Sequence, residues 1–227
     1  MVTLSFERSV LSALATESSA VSRRIAKRGV VYAGGSRDDK VYLVVAGQVK
    51  LIMQSPAGKE CLLGIHTTGD FFGESCLSGV PRHETAVAMS NIVVKQVSGS
   101  RFLALMLESG LIGDLVRYLA GRLSEQQQLI TNLATAGCEY RLGVALLRLS
   151  EKLASCDSYG LAQKISHQEL SQMVGTTRPR VSEFMQRFRD RGLIDITPDS
   201  RILVREQLLR QYLEMCEQEP GLNAVAS

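Results

Sequence analysis

Five arginines are crowded into one short stretch of the chain, between residues 178 and 191. An arginine side chain presents a planar fork of N–H donors that matches two acceptors at once, such as phosphate oxygens or the O6 and N7 atoms of guanine. Residues 160–194 hold six Lys+Arg against three Asp+Glu, whereas the whole chain has a net charge of only +3. This local clustering favours contact with nucleic acid over a generally basic surface.

The residues around this cluster have the spacing of a helix-turn-helix. Gly175 stands where a left-handed turn is expected, and glycine takes that conformation without steric cost. Ser171 lies four residues earlier, where a small side chain lets the second helix cross closely, and Val181 lies six residues later. Thr177 can cap the second helix, and Pro179 falls in its first turn, where a missing N–H costs little. A charge run alone would indicate only a solvated helix face, but these features together favour a DNA-binding helix.

The beginning of the second helix is the end that enters the major groove in this motif. From there Arg178 can bond guanine in bidentate fashion, and Glu183 can accept from a cytosine amino group. Other arginines of the cluster are better placed for phosphates, which position a protein without reading sequence. The predicted DNA-binding residues are Thr177, Arg178, Pro179, Arg180, Ser182, Glu183, Arg187 and Arg189.

The elements that must position this helix differ between the two parts of the chain. Short β-branched runs fill residues 30–97: "VYLVVAG", "QVKLIMQS", "ECLLGIHT" and "AVAMSNIVVKQV". Their length and the turn signals between them predict an antiparallel barrel or roll. Residues 1–28, in contrast, indicate short helices. After the arginine cluster, "LIDITPDSRILV" predicts two strands around a turn, the wing of a winged helix-turn-helix.

A heptad pattern marks the helix predicted between these two parts. Its members are separated by three, four, three, four and three residues, which is an a/d seam with one polar position. Such a helix can pack on its own roll, but so narrow a seam favours pairing with a second copy of the chain. The predicted dimer seam is Val116, Leu119, Leu123, Gln126, Ile130 and Leu133.

Composition excludes several classes of protein. Apolar residues make up 45% of the chain, but no run approaches the roughly 18 needed to span a membrane, and we expect a cytoplasmic protein. The five cysteines include no CxxC pair, so we expect buried thiols and no disulfide framework, zinc site or iron–sulfur cluster. With three histidines, no glycine-rich nucleotide loop and no metal-ligand cluster, we expect neither an enzyme nor a bound metal. A sensor that acts only through proteins would not need the helix-turn-helix.

Three segments resemble the Crp/Fnr transcription regulators, in the order of that family. They are "GGSRDDKVYLVVAGQVKLI", "GKECLLGIHTTGDFFGES" and "ISHQELSQMVGTTRPRVSEFMQRFRDRGLI". The resemblance implies an α+β chain with a jelly-roll-like antiparallel β-roll over 1–110, a long dimerisation helix over 111–136 and a winged helix-turn-helix over 137–227. It also implies a homodimer that binds palindromic double-stranded DNA and contacts RNA polymerase.

The resemblance also places an effector pocket, from which this sequence departs. In cyclic-AMP-binding members a Gly-Glu pair meets the ribose, and an Arg followed by Ser or Thr binds the cyclic phosphate. Glu84 holds the position of that arginine, and a carboxylate repels a phosphodiester. Arg82 can reach the phosphate only by a changed loop path. We therefore expect no cyclic AMP binding of the usual kind. The candidate pocket residues are Gly73, Glu74, Ser75, Arg82, Glu84, Thr85, Gln126 and Gln127.

The DNA motif departs from the catabolite-activator type, which reads its half-site with an Arg-Glu pair and a second Arg one turn later. Arg178 keeps the first position, but Pro179 replaces the Glu and Glu183 replaces the second Arg. Proline cannot bond a cytosine, and glutamate reverses the preference of arginine. We therefore expect a palindromic operator whose half-sites differ from TGTGA and lie about one helical turn apart.

Three other kinds of sensing stay open at this point. One is a cyclic-nucleotide response through a rearranged pocket. Another is a haem response, for which His66, His83 and Cys76 are available ligands without a distinctive spacing. The third is a thiol switch through Cys138 or Cys156. The family's oxygen-sensing branch needs an N-terminal cysteine cluster, which residues 1–60 lack.

Overall fold

The computed structural model describes residues 2–155, 158–161 and 164–218. These residues divide into two compact units, Met1–Gln126 and Gln127–Ser227. The boundary falls inside one continuous helix, α3, which runs from Ile112 to Thr135. Among the helices described, none combines the length and apolar character that crossing a lipid bilayer requires.

The first unit is built on two four-stranded antiparallel sheets, with strand orders β1-β8-β3-β6 and β2-β7-β4-β5. The predicted α+β roll is therefore confirmed. The strands are β1 Val21–Ile25, β2 Val30–Tyr32, β3 Lys40–Ala46, β4 Gln48–Gln54, β5 Glu60–Thr67, β6 Phe71–Phe72, β7 Thr85–Ala88 and β8 Ile92–Ser98. A 3-10 helix, Glu74–Ser78, lies between β6 and β7.

Successive side chains of a strand point to opposite faces, and the buried side chains of these strands fall into two core clusters. In one core cluster Tyr32, Tyr42 and Phe72 pack together, and the Tyr42 and Phe72 ring centroids lie 5.2 Å apart. In a second cluster Phe71 and Phe102 pack with their ring centroids 5.6 Å apart. Phe71 and Phe72 are adjacent in sequence, so their side chains enter different clusters.

Two helices, α1 (Val2–Thr16) and α2 (Gly99–Glu108), complete the roll. Phe6, Val10 and Leu14 of α1 join the same buried cluster as Phe102. The prediction that residues 1–28 are helical throughout is wrong for Val21–Ile25, which forms β1. That strand pairs along its length with β8, from Val21 opposite Gln96 to Ile25 opposite Ile92. The pairing partner lies far away in sequence, so a local pattern could not reveal it.

The second unit is mainly helical. Its elements after α3 are α4 Cys138–Leu153, β9 Ala154–Ser155, β10 Ser158–Leu161, α5 His167–Val174, α6 Arg178–Asp190, β11 Ile194–Ile196, β12 Ile202–Val204 and α7 Glu206–Gln218. The antiparallel pair β11–β12 is the predicted hairpin after the arginine-rich helix. The arrangement of α5, α6 and this hairpin is that of a winged helix-turn-helix.

Candidate functional site

The turn between α5 and α6 has the geometry that its sequence predicts. Ser166 caps α5 in a capping box with Glu169. Gly175 ends the helix at φ 66°, and its N–H donates to the carbonyl of Ser171. A left-handed residue here reverses the chain tightly. Thr177 occupies the N-cap position of α6, but its side chain makes no capping hydrogen bond.

One face of α6 is buried and thereby orients the opposite face outward. Val181, Phe184, Met185 and Phe188 are each at most 2% exposed. Their spacing of three, one and three residues covers a single stripe of the helix. The side chains of the other face are exposed or half-buried, and they comprise Arg178, Pro179, Ser182, Glu183, Gln186 and Arg189.

A contact between side chains fixes α6 against α5. The Nδ1 atom of His167 lies 2.8 Å from the Oγ atom of Ser182. Burial, and secondarily the charge of Arg178, lowers the pKa of His167 below its ordinary value of 6.5. The histidine is therefore neutral at pH 7, and it bridges the two helices of the motif without adding positive charge.

The arginines predicted to bind phosphates do not all occupy equivalent surroundings. Arg189 is exposed at the end of α6, whereas Arg180 is half-buried with its guanidinium carbon 6.0 Å from the centre of the Phe184 ring. Arg187 is engaged within the unit, 2.8 Å from Glu139 of α4 and 3.0 Å from Glu183. The structure thus gives Arg187 an internal role that the sequence analysis did not foresee.

Gln186 is a surface residue that the sequence analysis missed. It lies on the same face of α6 as Ser182 and Glu183, four and three residues after them, and its Nε2 atom donates to Asp190 at 2.7 Å. A glutamine can bond adenine N6 and N7 in bidentate fashion. The signal was the helical period itself, since Gln186 lies opposite the buried stripe.

The turn between β11 and β12 is stabilised by its own polar side chains. Thr197 donates its hydroxyl to Asp199 at 2.5 Å, and Arg201 lies 2.6 Å from the other Asp199 oxygen. The Thr197 hydrogen bond, with help from Arg201, lowers the pKa of Asp199. Ser200 takes the left-handed conformation at φ 63°.

In the roll, four of the candidate pocket residues gather around the 3-10 helix. Gly73 precedes that helix at φ 84°. The guanidinium of Arg82 is buried and donates to the carbonyl of Gly73 and to the hydroxyl of Ser75. Glu84 is also buried, and its carboxylate accepts from the Ser75 hydroxyl at 2.9 Å. The Ser75 hydroxyl therefore forms hydrogen bonds with both the Arg82 and the Glu84 side chains.

The remaining candidate pocket residues lie around this group or on α3. Glu74 lies 3.5 Å from Arg122 of α3. The Thr85 hydroxyl accepts from the Gly34 N–H at 2.9 Å. Gln126 and Gln127 are exposed on α3.

The predicted dimer seam is largely exposed on this single chain. Val116 is 61% exposed, Leu123 59%, Ile130 64% and Leu133 40%. Leu119 is different, because it is half-buried against the core cluster of the roll. Four large apolar side chains thus lie in contact with water along one stripe of α3, which isolated globular surfaces seldom show.

The candidate haem ligands and thiols have ordinary surroundings. His66 is buried with its ring centroid 5.6 Å from that of Phe72, whereas His83 is exposed. Burial raises the pKa of the Cys76 thiol. Cys138 accepts from Arg141 at 3.2 Å, and Cys156 lies outside the described residues. Within residues 2–155, 158–161 and 164–218, no group of three or more His, Cys, Asp or Glu is arranged to hold a metal ion.

Each of the two units contains a match to a known protein family. Residues 22–109 match the cyclic nucleotide-binding domain, and residues 140–212 match the Crp-like helix-turn-helix domain. The chain is 30% identical over 164 residues to the cAMP-activated global transcriptional regulator CRP of Pasteurella multocida. That match covers 70% of this chain and 78% of that protein.

Two solved structures share the fold. The transcriptional regulator TTHA1359 of Thermus thermophilus, of the CRP/FNR family, is 27% identical with a TM-score of 0.67, covering 86% of this chain and 98% of that one. FixK2 of Bradyrhizobium japonicum has a TM-score of 0.74 at 22% identity, covering 85% of this chain and 96% of that one. The order of roll, long helix and helix-turn-helix agrees with these likenesses. The chain belongs to the Crp/Fnr family of DNA-binding transcription regulators.

Proposed function

We propose that the protein acts in the cytoplasm as a homodimer that binds a palindromic operator and contacts RNA polymerase there. We further propose that its roll does not bind cyclic AMP in the way the family's cyclic-AMP-activated members do. The observation that carries DNA reading is the outward face of α6, which is fixed by four buried apolar side chains on the opposite side. The relatives' activity in transcription supports the same role.

The apolar stripe of α3 supports the proposed dimer. An a/d seam buries its apolar members only against another helix, and two identical seams are self-complementary about a two-fold axis. Two recognition helices related by that axis would then meet successive major grooves of a palindrome. Exposure of Val116, Leu123 and Ile130 to water in the single chain supports this pairing.

The argument against ordinary cyclic AMP binding is electrostatic. Glu84 is only 8% exposed, and its carboxylate accepts a hydrogen bond from Ser75. A cyclic phosphodiester placed there would meet a carboxylate at short range in a poorly solvated site, where repulsion is weakly screened.

A second candidate function is supported by Arg82. This arginine is 2% exposed, and its Nε atom has no hydrogen-bond partner among the described residues. A buried unpaired donor invites an acceptor, and the similar protein of Pasteurella multocida is named as cAMP-activated. The alternative is therefore a regulator that binds a cyclic nucleotide through Arg82 in a rearranged pocket.

Fluorescence anisotropy with the DNA upstream of the protein's own gene separates the two candidates. Tight, sequence-specific binding that ignores cyclic AMP is the result we expect. A tenfold or greater rise in affinity with the nucleotide, about 1.4 kcal/mol of coupling, would establish the second candidate instead. Absence of sequence-specific binding in every condition would contradict both.

A further inference from the structure

The carboxylate of Glu84 is held by two hydroxyl groups inside the roll. Tyr32 donates to its Oε1 atom at 2.8 Å, and Ser75 donates to the same atom at 2.9 Å. Tyr32 is itself 5% exposed, and burial together with Glu84 raises its pKa, so the phenol remains a donor. Convergent hydroxyl donors are the groups by which proteins bind an anion.

Arg82 is linked to this carboxylate through the Ser75 hydroxyl. Its Nη1 atom donates to the Ser75 hydroxyl at 3.0 Å, so Ser75 connects the guanidinium to the carboxylate in one chain of hydrogen bonds. The guanidinium carbon also lies 4.2 Å from the centre of the Tyr32 ring. Arg82, Ser75, Tyr32 and Glu84 therefore form one polar network, in which Arg82, Tyr32 and Glu84 are buried and Ser75 is half-buried.

Other donors of Arg82 are engaged by the protein itself. Its Nη1 atom also donates to the carbonyl of Gly73, and its Nη2 atom donates to the carbonyl of Lys40. Asp38 lies 3.8 Å from Nη2. A guanidinium that binds a ligand's phosphate usually offers two parallel N–H groups. Here both outer nitrogens are turned towards the chain's own oxygens.

We propose that Glu84 is a built-in anion that occupies the anion-binding position of the roll and excludes ligand anions from it. This inference rests on the proposed function. It explains how the hydroxyl donors of the roll can have an acceptor when no effector is bound. The excluded ligands share one chemical feature, an anionic group of carboxylate or phosphate size that Tyr32, Ser75 and Arg82 would bind.

Removal of the carboxylate should open the position to such a group. In Glu84→Ala the donors of Tyr32 and Ser75 lose their acceptor, whereas Arg82 keeps Asp38 at 3.8 Å from its Nη2 atom. Buried donors without an acceptor are costly, so an added anion should bind to these two hydroxyl groups. Glu84→Ser is the second variant, because its hydroxyl can still bond to Tyr32. Glu60→Ala, which removes an exposed carboxylate on β5, is the control.

The test uses the full-length chain and three probes: sodium formate, inorganic phosphate and cyclic AMP. Isothermal titration calorimetry should show no binding of any probe to the wild type or to Glu60→Ala. Glu84→Ala and Glu84→Ser should bind at least one probe at least tenfold more tightly than the wild type. Binding of formate alone would indicate a gap of carboxylate size. Binding of phosphate or cyclic AMP would indicate room for a phosphate group. Saturating anion should raise the variants' melting temperature by about 3 °C.

Two results would overturn the inference. One is equal anion binding by the wild type and the variants, because the position would then be open already. The other is the absence of any gain in both Glu84 variants, including the case in which they unfold and none of the three anions restores their fold. The anion titration does not use DNA. Loss of DNA binding by the wild type would thus count against the proposed function and leave this test standing.

Discussion

At the scale of single residues, the arginines of α6 divide into those that face outward and one that stabilises the unit. Arg178 is exposed in the first turn of the helix, whereas Arg187 lies between two carboxylates and over the Phe184 ring at 4.9 Å. Their roles should therefore separate experimentally, although both belong to one arginine-rich run.

Replacing Arg178 by alanine should weaken operator binding by about 1–3 kcal/mol and relax sequence preference at one base pair per half-site, because a bidentate base contact is lost. Anisotropy with the operator and with single-base variants measures both effects. A uniform loss across all sequences would instead make Arg178 a phosphate contact.

Arg187→Ala is the variant to compare with Arg178→Ala. It should lower the free energy of unfolding by about 1 kcal/mol, because the guanidinium is about one-third exposed and its ion pairs are screened by water. The slope of log affinity against log salt should stay unchanged. Urea denaturation and a salt titration measure the two quantities. A shallower salt slope would show that Arg187 reaches a phosphate after all.

The division between predictable and unpredictable residues has a physical cause. Gly175, Ser171 and Val181 could be assigned from sequence because the turn and its packing involve residues only a few positions apart. Arg187 could not, because its partner Glu139 belongs to α4, far away along the chain. Glu84 was found by comparison with a motif, but its hydrogen bond from Tyr32 crosses 52 positions.

At the scale of elements, α5 and α6 are connected by a contact that depends on pH. The pKa of His167 is lowered in the folded state, so the unfolded chain binds the proton more tightly. The contribution of His167 to the free energy of unfolding should therefore be constant above the ordinary histidine pKa of about 6.5 and should fall as the pH is lowered from there towards the depressed folded value.

His167→Gln should reduce this fall between pH 6.5 and pH 5, because the glutamine does not titrate. Urea denaturation at several pH values compares the two proteins, with His83→Gln as the exposed control. The prediction fails if the wild type and His167→Gln lose the same free energy over this range.

The helix α3 shows how far a periodic pattern can be taken. Its heptad spacing predicted a dimer seam, of which Val116, Leu123 and Ile130 are exposed on the single chain, whereas Leu119 is half-buried against the roll. The a/d pattern records that a side chain is apolar, and not which of two surfaces covers it. That choice depends on the fold of residues distant in sequence.

Leu123→Glu should convert a dimer into a monomer, because it places two like charges opposite one another in an apolar seam. Multi-angle light scattering gives the mass, and operator affinity should fall at least tenfold because two half-sites can no longer be bound together. Ser124→Glu, at the neighbouring exposed position of the same helix, is the control. A dimeric Leu123→Glu protein would mean that the seam lies elsewhere.

At the scale of the whole molecule, two-fold symmetry should be visible in the DNA that the protein selects. Binding-site selection from random duplexes should return a palindrome whose half-sites differ from TGTGA, since Pro179 and Glu183 occupy two of the predicted reading positions. Recovery of TGTGA half-sites would show that residues outside this face determine the preference. Recovery of one unrepeated half-site would argue against the dimer.

Pro179, the second residue of α6, has a consequence for the thermodynamics of operator binding. Its ring fixes the backbone φ angle near −65°, so the first turn of the helix has few conformations to lose when DNA arrives. The same ring removes one of the N–H groups that a helix beginning can offer to a phosphate. Operator binding should therefore show a small entropic penalty from ordering the protein, with affinity concentrated in side chains. The backbone of the first turn of α6 is therefore already fixed before DNA binds.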